Sequence, residues 1–169
     1  MRSLVRSQIN ALIIDFNMKY YNYQITTAEI PDEITLCINI SNCPIHCPDC
    51  HSKFLWEDVG VELTKDELFK MIDENPGVSC VCFMGGDKDM WMVRDLTLAI
   101  RNKYKDLKVA WYSGQAAMHP VMTSELDYYK YGPYIKFCGG LDHRTTNQRL
   151  YKIDRNMGKA EDITSKFWK

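Results

Sequence analysis

The chain has 169 residues and a formal net charge of −1, and 46% of its residues are hydrophobic and 25% charged. This composition is typical of a globular protein, and the near-neutral charge predicts no binding to nucleic acid or to an anionic membrane. No stretch approaches the ~20 apolar residues of a membrane helix. The length suits one domain over residues 1–169. We expect an N-terminal extension or strand over 1–33 and a C-terminal tail over 154–169.

The number of cysteines indicates metal or redox chemistry. The apolar stretch 11–14 is too short for the core of a signal peptide, so we expect a cytoplasmic protein. Disulfides are rare in that compartment, and the chain has seven cysteines, an odd number. Cys37, Cys80 and Cys82 lie in apolar strand patterns, and we expect them to be small buried side chains.

The first half of the chain alternates strand and helix patterns. β-branched and aromatic residues predict a strand pair at 19–28 and 34–41. A proline-containing loop follows, and then a capping box at 64–67 predicts the start of a helix. The apolar run 78–84, bounded by glycines, predicts a strand buried on both faces.

The second half continues with a helix predicted at 90–104 and a strand at 108–113. Further strand candidates are 127–130, 135–138 and 149–153. The order of strands and helices predicts right-handed parallel crossovers, and ligands bind such sheets at the carboxyl ends of the strands. The cysteine loop, a Gly-Gly-Asp turn and Ser113-Gly114 each follow a predicted strand, so we expect them to form one site.

Three cysteines in one short loop, Cys43-x3-Cys47-x2-Cys50, are the strongest chemical signal. Four thiolates usually hold a [4Fe–4S] cluster, so three leave one iron without a protein ligand. An open coordination position is typical of catalytic metal sites. Its natural occupant is the amine and carboxylate of S-adenosylmethionine, whose sulfonium accepts an electron and splits into methionine and a 5′-deoxyadenosyl radical.

Two other metal interpretations remain open at this point. A structural zinc site has the same ligand types and spacing, with His46 or His51 completing a Cys3His set. An electron-transfer ferredoxin is disfavoured, because it normally has a fourth cysteine nearby.

The cysteine spacing after a first strand resembles the signature of the radical S-adenosylmethionine superfamily. The resemblance implies that Gly85-Gly86-Asp87 bind the methionine amino group, although an ordinary strand-to-helix turn has the same residue types. It places Ser113 and Gly114 near the nucleoside, where simple packing at a strand end is the alternative. Asp49 stands where the superfamily has an aromatic residue against adenine, and His51 is the expected substitute by stacking.

A longer stretch resembles the activating proteins of anaerobic ribonucleoside-triphosphate reductase. Residues 43–53 and Trp56 are similar to that family's G-C-x-x-x-C-P-G-C-[YH]-N-x-x-x-W run, with Asn42 and Asp49 at two of its glycine positions. Gly-Pro-Tyr and Asn-Gln-Arg elements follow in the family's order, and the matches run from about residue 34 to 153.

This resemblance implies an α/β fold, a small incomplete (βα) barrel with a mostly parallel sheet. It implies a radical enzyme that forms a glycyl radical on the class III reductase, with a one-electron donor such as flavodoxin. Residues 147–149 would contact the partner or the cofactor, or simply cap a strand end. The alternatives are a small-molecule radical enzyme such as a deazaguanine synthase, and a zinc-stabilised binding module.

Overall fold

A computed structural model describes residues 18–168 as one open sheet of eight strands. Residues 1–17 of the expected N-terminal extension, and Lys169, lie outside the described residues. The strands are β1 Lys19–Thr26, β2 Thr35–Ile40, β3 Val61–Glu62, β4 Cys80–Met84, β5 Lys108–Tyr112, β6 Tyr128–Tyr131, β7 Arg149–Asp154 and β8 Lys159–Asp162.

Helices lie between the strands, and local sequence signals explain where they begin. They are α1 Lys65–Asp73, α2 Met90–Lys103 and the single turn α3 Pro120–Thr123, with 3-10 helices at Lys53–Trp56 and Thr164–Phe167. Thr64 caps α1 by accepting a hydrogen bond from the Glu67 amide at 3.1 Å, which confirms the predicted helix start, while the Glu67 carboxylate accepts from the Tyr20 hydroxyl at 2.9 Å instead of closing a capping box. Within residues 18–168, no helix combines the length and the apolar character needed to cross a membrane.

The sheet is parallel in the middle and antiparallel at both edges. Its strand order is β3-β1-β2-β4-β5-β6-β7-β8. The block β2-β4-β5-β6 is parallel, whereas β1 and β3 on one side and β7 and β8 on the other pair antiparallel. The predicted pairing of the first two strands is confirmed.

The expected (βα) barrel is wrong, because the sheet stays open. A barrel of this type needs a repeated helical crossover that carries each new parallel strand around the axis. Here the crossover between β5 and β6 contains only the four-residue α3. After β6 the chain turns back, and β7 pairs antiparallel with it, so the parallel series stops.

The outcome of the remaining strand predictions depends on how clear the strand pattern of each segment is. The strands at 78–84, 108–113, 127–130 and 149–153 are confirmed in shifted bounds. The strand predicted at 135–138 is wrong, because the Cys138 amide donates to the Ile135 carbonyl at 2.9 Å in a turn. Strands β3 and β8 were not predicted, since β3 has two residues and every residue of β8 is exposed.

The parallel block buries side chains on both faces. Strand residues such as Leu36, Phe83 and Trp111 pack with α1 and α2 on one face. Cys37 and Cys82 lie on the other, and with Cys80 they are fully buried, as expected. Burial raises the pKa of the Cys82 thiol, so this side chain stays a neutral thiol.

One carboxylate joins the amino ends of all four parallel strands. Glu33, just before β2, is 5% exposed. It accepts hydrogen bonds from the Ser79 hydroxyl at 2.7 Å, the Tyr128 hydroxyl at 2.8 Å and the Lys108 ammonium. Burial alone would raise the pKa of the Glu33 carboxyl, but these three donors outweigh it and hold the pKa below its ordinary value.

We expect Glu33→Ala to lower the free energy of unfolding by about 2 kcal/mol, because three donors lose a charged acceptor. Glu161→Ala is the matched control, since Glu161 is an exposed strand carboxylate. Chemical denaturation of the two variants measures the difference. Equal unfolding free energies would contradict the role assigned to Glu33.

The Glu33 contribution also depends on pH with a defined sign. Its pKa is lowered on folding, so the stabilisation is complete above the ordinary value of 4.5 and is lost as the pH falls through the folded-state pKa. The difference in unfolding free energy between wild type and Glu33→Ala should therefore become smaller as the pH falls. A difference that is constant from pH 7 down to pH 3 would contradict this linkage.

Candidate iron–sulfur site

The three loop cysteines line one cavity at the carboxyl ends of the parallel strands. Its volume is about 560 Å³, and Cys43, Cys47 and Cys50 all contribute to its wall. Five other residues that the sequence nominated also line it: His51, Gly85, Asp87, Ser113 and Gly114. The expected convergence of the cysteine loop with two strand ends is present.

Backbone contacts close the cysteine loop at its base. The Asn42 amide donates to the Glu57 carbonyl at 2.9 Å, and the Cys43 amide donates to the Leu55 carbonyl at 3.0 Å. Asn42 has a φ of 60°, in the left-handed region, where asparagine is better tolerated than most residues. Asn42 therefore has a backbone conformation that favours glycine. This explains why asparagine is tolerated here, where the family that the sequence resembles has glycine.

Backbone amides point at the three cysteine sulfurs. The Ser52 amide donates to Cys50 Sγ at 3.3 Å, and the Tyr134 amide donates to Cys47 Sγ at 3.3 Å. Burial raises the pKa of the Cys43 thiol, although backbone amides within the loop work against it by favouring the thiolate. Thiolates that accept such hydrogen bonds are the donor set of iron–sulfur clusters, so these residues fit one.

The two histidines of the loop have different surroundings. His46 stacks on Trp56, with ring centroids 4.8 Å apart, and does not line the cavity. His51 lines the cavity, and its ring centroid lies 5.2 Å from that of Tyr134. Across residues 18–168, no three Cys, His, Asp or Glu side chains form a group that can hold a single metal ion.

The glycine turn after β4 brings backbone to the cavity wall. Gly85 and Gly86 have φ values of 93° and 88°, which only glycine adopts without strain. The Gly85 carbonyl accepts a hydrogen bond from the Trp111 indole at 2.7 Å. Gly86 lies behind the wall, where an added Cβ would be 2.7 Å from a methyl of Val93.

Asp87 connects this turn to the end of β5. Its carboxylate accepts hydrogen bonds from the Ser113 hydroxyl and from the Gly114 amide, the latter at 3.0 Å. Burial raises the pKa of the Asp87 carboxyl, even though both donors favour its charged form. Gly114 in turn packs against the cysteine loop, because a Cβ there would be 2.8 Å from Ile45 Cγ1.

Two predicted cofactor residues lie apart from the cavity. Asp49 is exposed and does not line it, and neither does Gly86. Of the segment 147–149, only Gln148 lines the cavity, while Asn147 holds the loop before it by donating to the Pro133 carbonyl at 2.8 Å.

Sequence reasoning missed three charged residues of the wall as site residues, Glu29, Lys130 and Asp142. Lys130 had one available signal, since it is a lysine between tyrosines in the aromatic strand β6. Glu29 had none, because it lies in the irregular segment between β1 and β2.

Comparison with known families decides the class of this site. Residues 34–132 match the 4Fe-4S single cluster domain family, and this stretch is more than half of the chain. The chain belongs to this family. The matched stretch of this 4Fe-4S single cluster domain contains the cysteine loop and strands β2 to β6. Neither the curated proteins nor the solved structures contain a match.

We expect Gly114→Ala to disturb the cysteine loop, because its new Cβ overlaps the Ile45 side chain at a cost of about 1–3 kcal/mol. Iron and sulfide bound per chain after anaerobic reconstitution should fall. Gly77→Ala is the matched control, since an added Cβ there meets nothing within 4 Å.

A second substitution tests the cause. Ile45→Ala in the Gly114→Ala background removes the overlapping Cγ1 and Cγ2 atoms and should restore cluster content. If Gly114→Ala alone binds as much iron as Gly77→Ala, the packing of this glycine on the loop does not control the site.

Proposed function

We propose that this 4Fe-4S single cluster domain protein is a radical S-adenosylmethionine activating enzyme. Cys43, Cys47 and Cys50 hold the cluster, and the enzyme forms a glycyl radical on a class III anaerobic ribonucleoside-triphosphate reductase. One observation carries the proposal: the three thiols share a cavity with the glycine turn and the Asp87–Ser113 pair. A one-electron donor such as flavodoxin, and the cytoplasm as location, belong to the same proposal.

Three thiols rather than four support a cluster with one open iron. Among the described residues, no fourth cysteine lines the cavity, and Cys138 lies in a turn outside its wall. A bound cluster supplies single electrons, which is the chemistry that reductive cleavage of S-adenosylmethionine requires.

The chain's own groups have distinct tasks in this proposal. The turn at Gly85 exposes backbone to the cavity, which lets an amino acid group approach without a side chain in its way. Asp87 fixes the end of β5 by holding the Ser113 hydroxyl and the Gly114 amide. Part of the cavity wall is apolar, which limits the water that reaches a radical; it includes Ile45, Leu55 and Leu141.

The open sheet supports a protein as the substrate rather than a small molecule. A closed barrel would surround the cavity, whereas this sheet is open and ends in antiparallel edge strands. The loop that follows β6 donates to Cys47 through Tyr134 and then exposes Phe137, which is 97% accessible. An exposed aromatic residue beside a site is typical of a contact with a partner protein.

We expect Cys43→Ala, Cys47→Ala and Cys50→Ala each to lose the cluster and to reduce 5′-deoxyadenosine formation to background, because each removes one of three thiolate ligands. Cys80→Ala is the control, since Cys80 is fully buried away from the cavity. Iron analysis and chromatography of the nucleoside products measure both effects. A Cys47→Ala protein that keeps a full cluster and cleaves the cofactor would overturn the ligand assignment.

The partner is tested by anaerobic mixing with a class III reductase, a reductant and S-adenosylmethionine. The expected result is a glycyl radical doublet in the electron paramagnetic resonance spectrum. Formation of 5′-deoxyadenosine without that doublet would favour a small-molecule radical enzyme. A colourless protein that binds zinc and no iron would favour the binding module.

A further inference from the structure

Lys130 places a buried positive charge in the wall of the cluster cavity. It lies in β6, is 8% exposed, and lines the same cavity as the three cysteines. Among the described residues of that wall it is the only lysine or arginine. A buried lysine is costly unless something compensates its charge, so its position calls for a functional explanation.

The protein alone leaves the Lys130 ammonium incompletely partnered. An ammonium has three donors, and within residues 18–168 its one hydrogen-bond acceptor is the Gly132 carbonyl at 3.0 Å. The ammonium also lies 5.8 Å from the centre of the Tyr112 ring. The remaining donors are available to a ligand of the cavity.

The charges that surround Lys130 are negative. Asp87 attracts its ammonium most strongly, and the thiolate form of Cys47 and the carboxylate of Glu29 attract it as well. Burial lowers the pKa of Lys130 to about 8, and these anionic groups work against that shift. The side chain is therefore mainly protonated at neutral pH.

We propose that Lys130 raises the reduction potential of the bound cluster by holding one buried positive charge beside its thiolate ligands. Reduction adds one electron from an external low-potential donor, with no bond made or broken and no proton required. A cation in a medium of low dielectric stabilises the more negative, reduced form more than the oxidised form. The inference depends on the cluster and its three proposed ligands, and not on radical chemistry.

The test is an anaerobic redox titration of reconstituted protein, followed by electron paramagnetic resonance of the reduced cluster. Lys130→Gln removes the charge but keeps a donor for the Gly132 carbonyl, and we expect its midpoint potential to be more negative than that of wild type. Lys130→Arg keeps the charge and should remain near wild type. Lys136→Gln is the matched control, because Lys136 is an exposed lysine in the loop that follows β6.

The possible results distinguish an effect of the Lys130 charge from an effect of its packing. A Lys130→Gln protein with full iron content and the wild-type potential would overturn the proposal, as would an equal negative shift in Lys136→Gln. If Lys130→Gln and Lys130→Met fail to hold a cluster while Lys130→Arg holds one, the positive charge is required for cluster assembly and not for its potential, which overturns the proposal. If all three fail, the lysine has a packing role and the proposal is wrong.

This test is independent of the proposed function. A wild-type protein that never forms 5′-deoxyadenosine would overturn the activating enzyme and leave a potential difference between wild type and Lys130→Gln intact.

Discussion

The parallel register of β2, β4 and β5 is the constraint on which the site depends. Asn39 pairs with Met84, and Met84 pairs with Tyr112, so the three strands end side by side. The residues that follow each of these strands must then lie at the same edge of the sheet. The cysteine loop follows β2, the glycine turn follows β4 and Ser113 follows β5, so three distant segments share a cavity.

The two ends of the parallel block have different tasks. At the amino ends, Glu33 gathers donors from three neighbouring strands and stabilises the sheet. At the carboxyl ends, the chain adopts left-handed backbone at Asn42, His46, Gly85 and Gly86. Such backbone is costly outside glycine, and here it shapes the cysteine loop and the glycine turn after β4. Stability and chemistry are thus supported from opposite edges of one sheet.

The sequence was sufficient for features that short segments encode. The helix start at Thr64 and the apolar run of β4 depend on local propensity, and the cysteine spacing depends on ligand chemistry. The family match now supports an iron–sulfur cluster in this chain. The roles of Cys43, Cys47 and Cys50 as its ligands remain predictions.

The sequence was insufficient where distant segments decide the result. An alternation of strands and helices looks the same in a closed barrel and in an open sheet, so the barrel prediction failed at the antiparallel edges. Lys130 looks like an ordinary strand lysine until the fold brings it to the cysteine cavity. Asp49 stands at the motif position of a predicted cofactor contact, yet it is exposed to solvent.

In the proposed enzyme, three thiolates hold a cluster whose remaining iron is open to S-adenosylmethionine. Mössbauer spectroscopy of protein reconstituted with ⁵⁷Fe, with and without the cofactor, tests it most directly. We expect a cubane in which a single iron site changes its spectrum when the cofactor is added. A cubane whose iron sites are all unaffected by the cofactor, or iron bound without sulfide, would contradict the account.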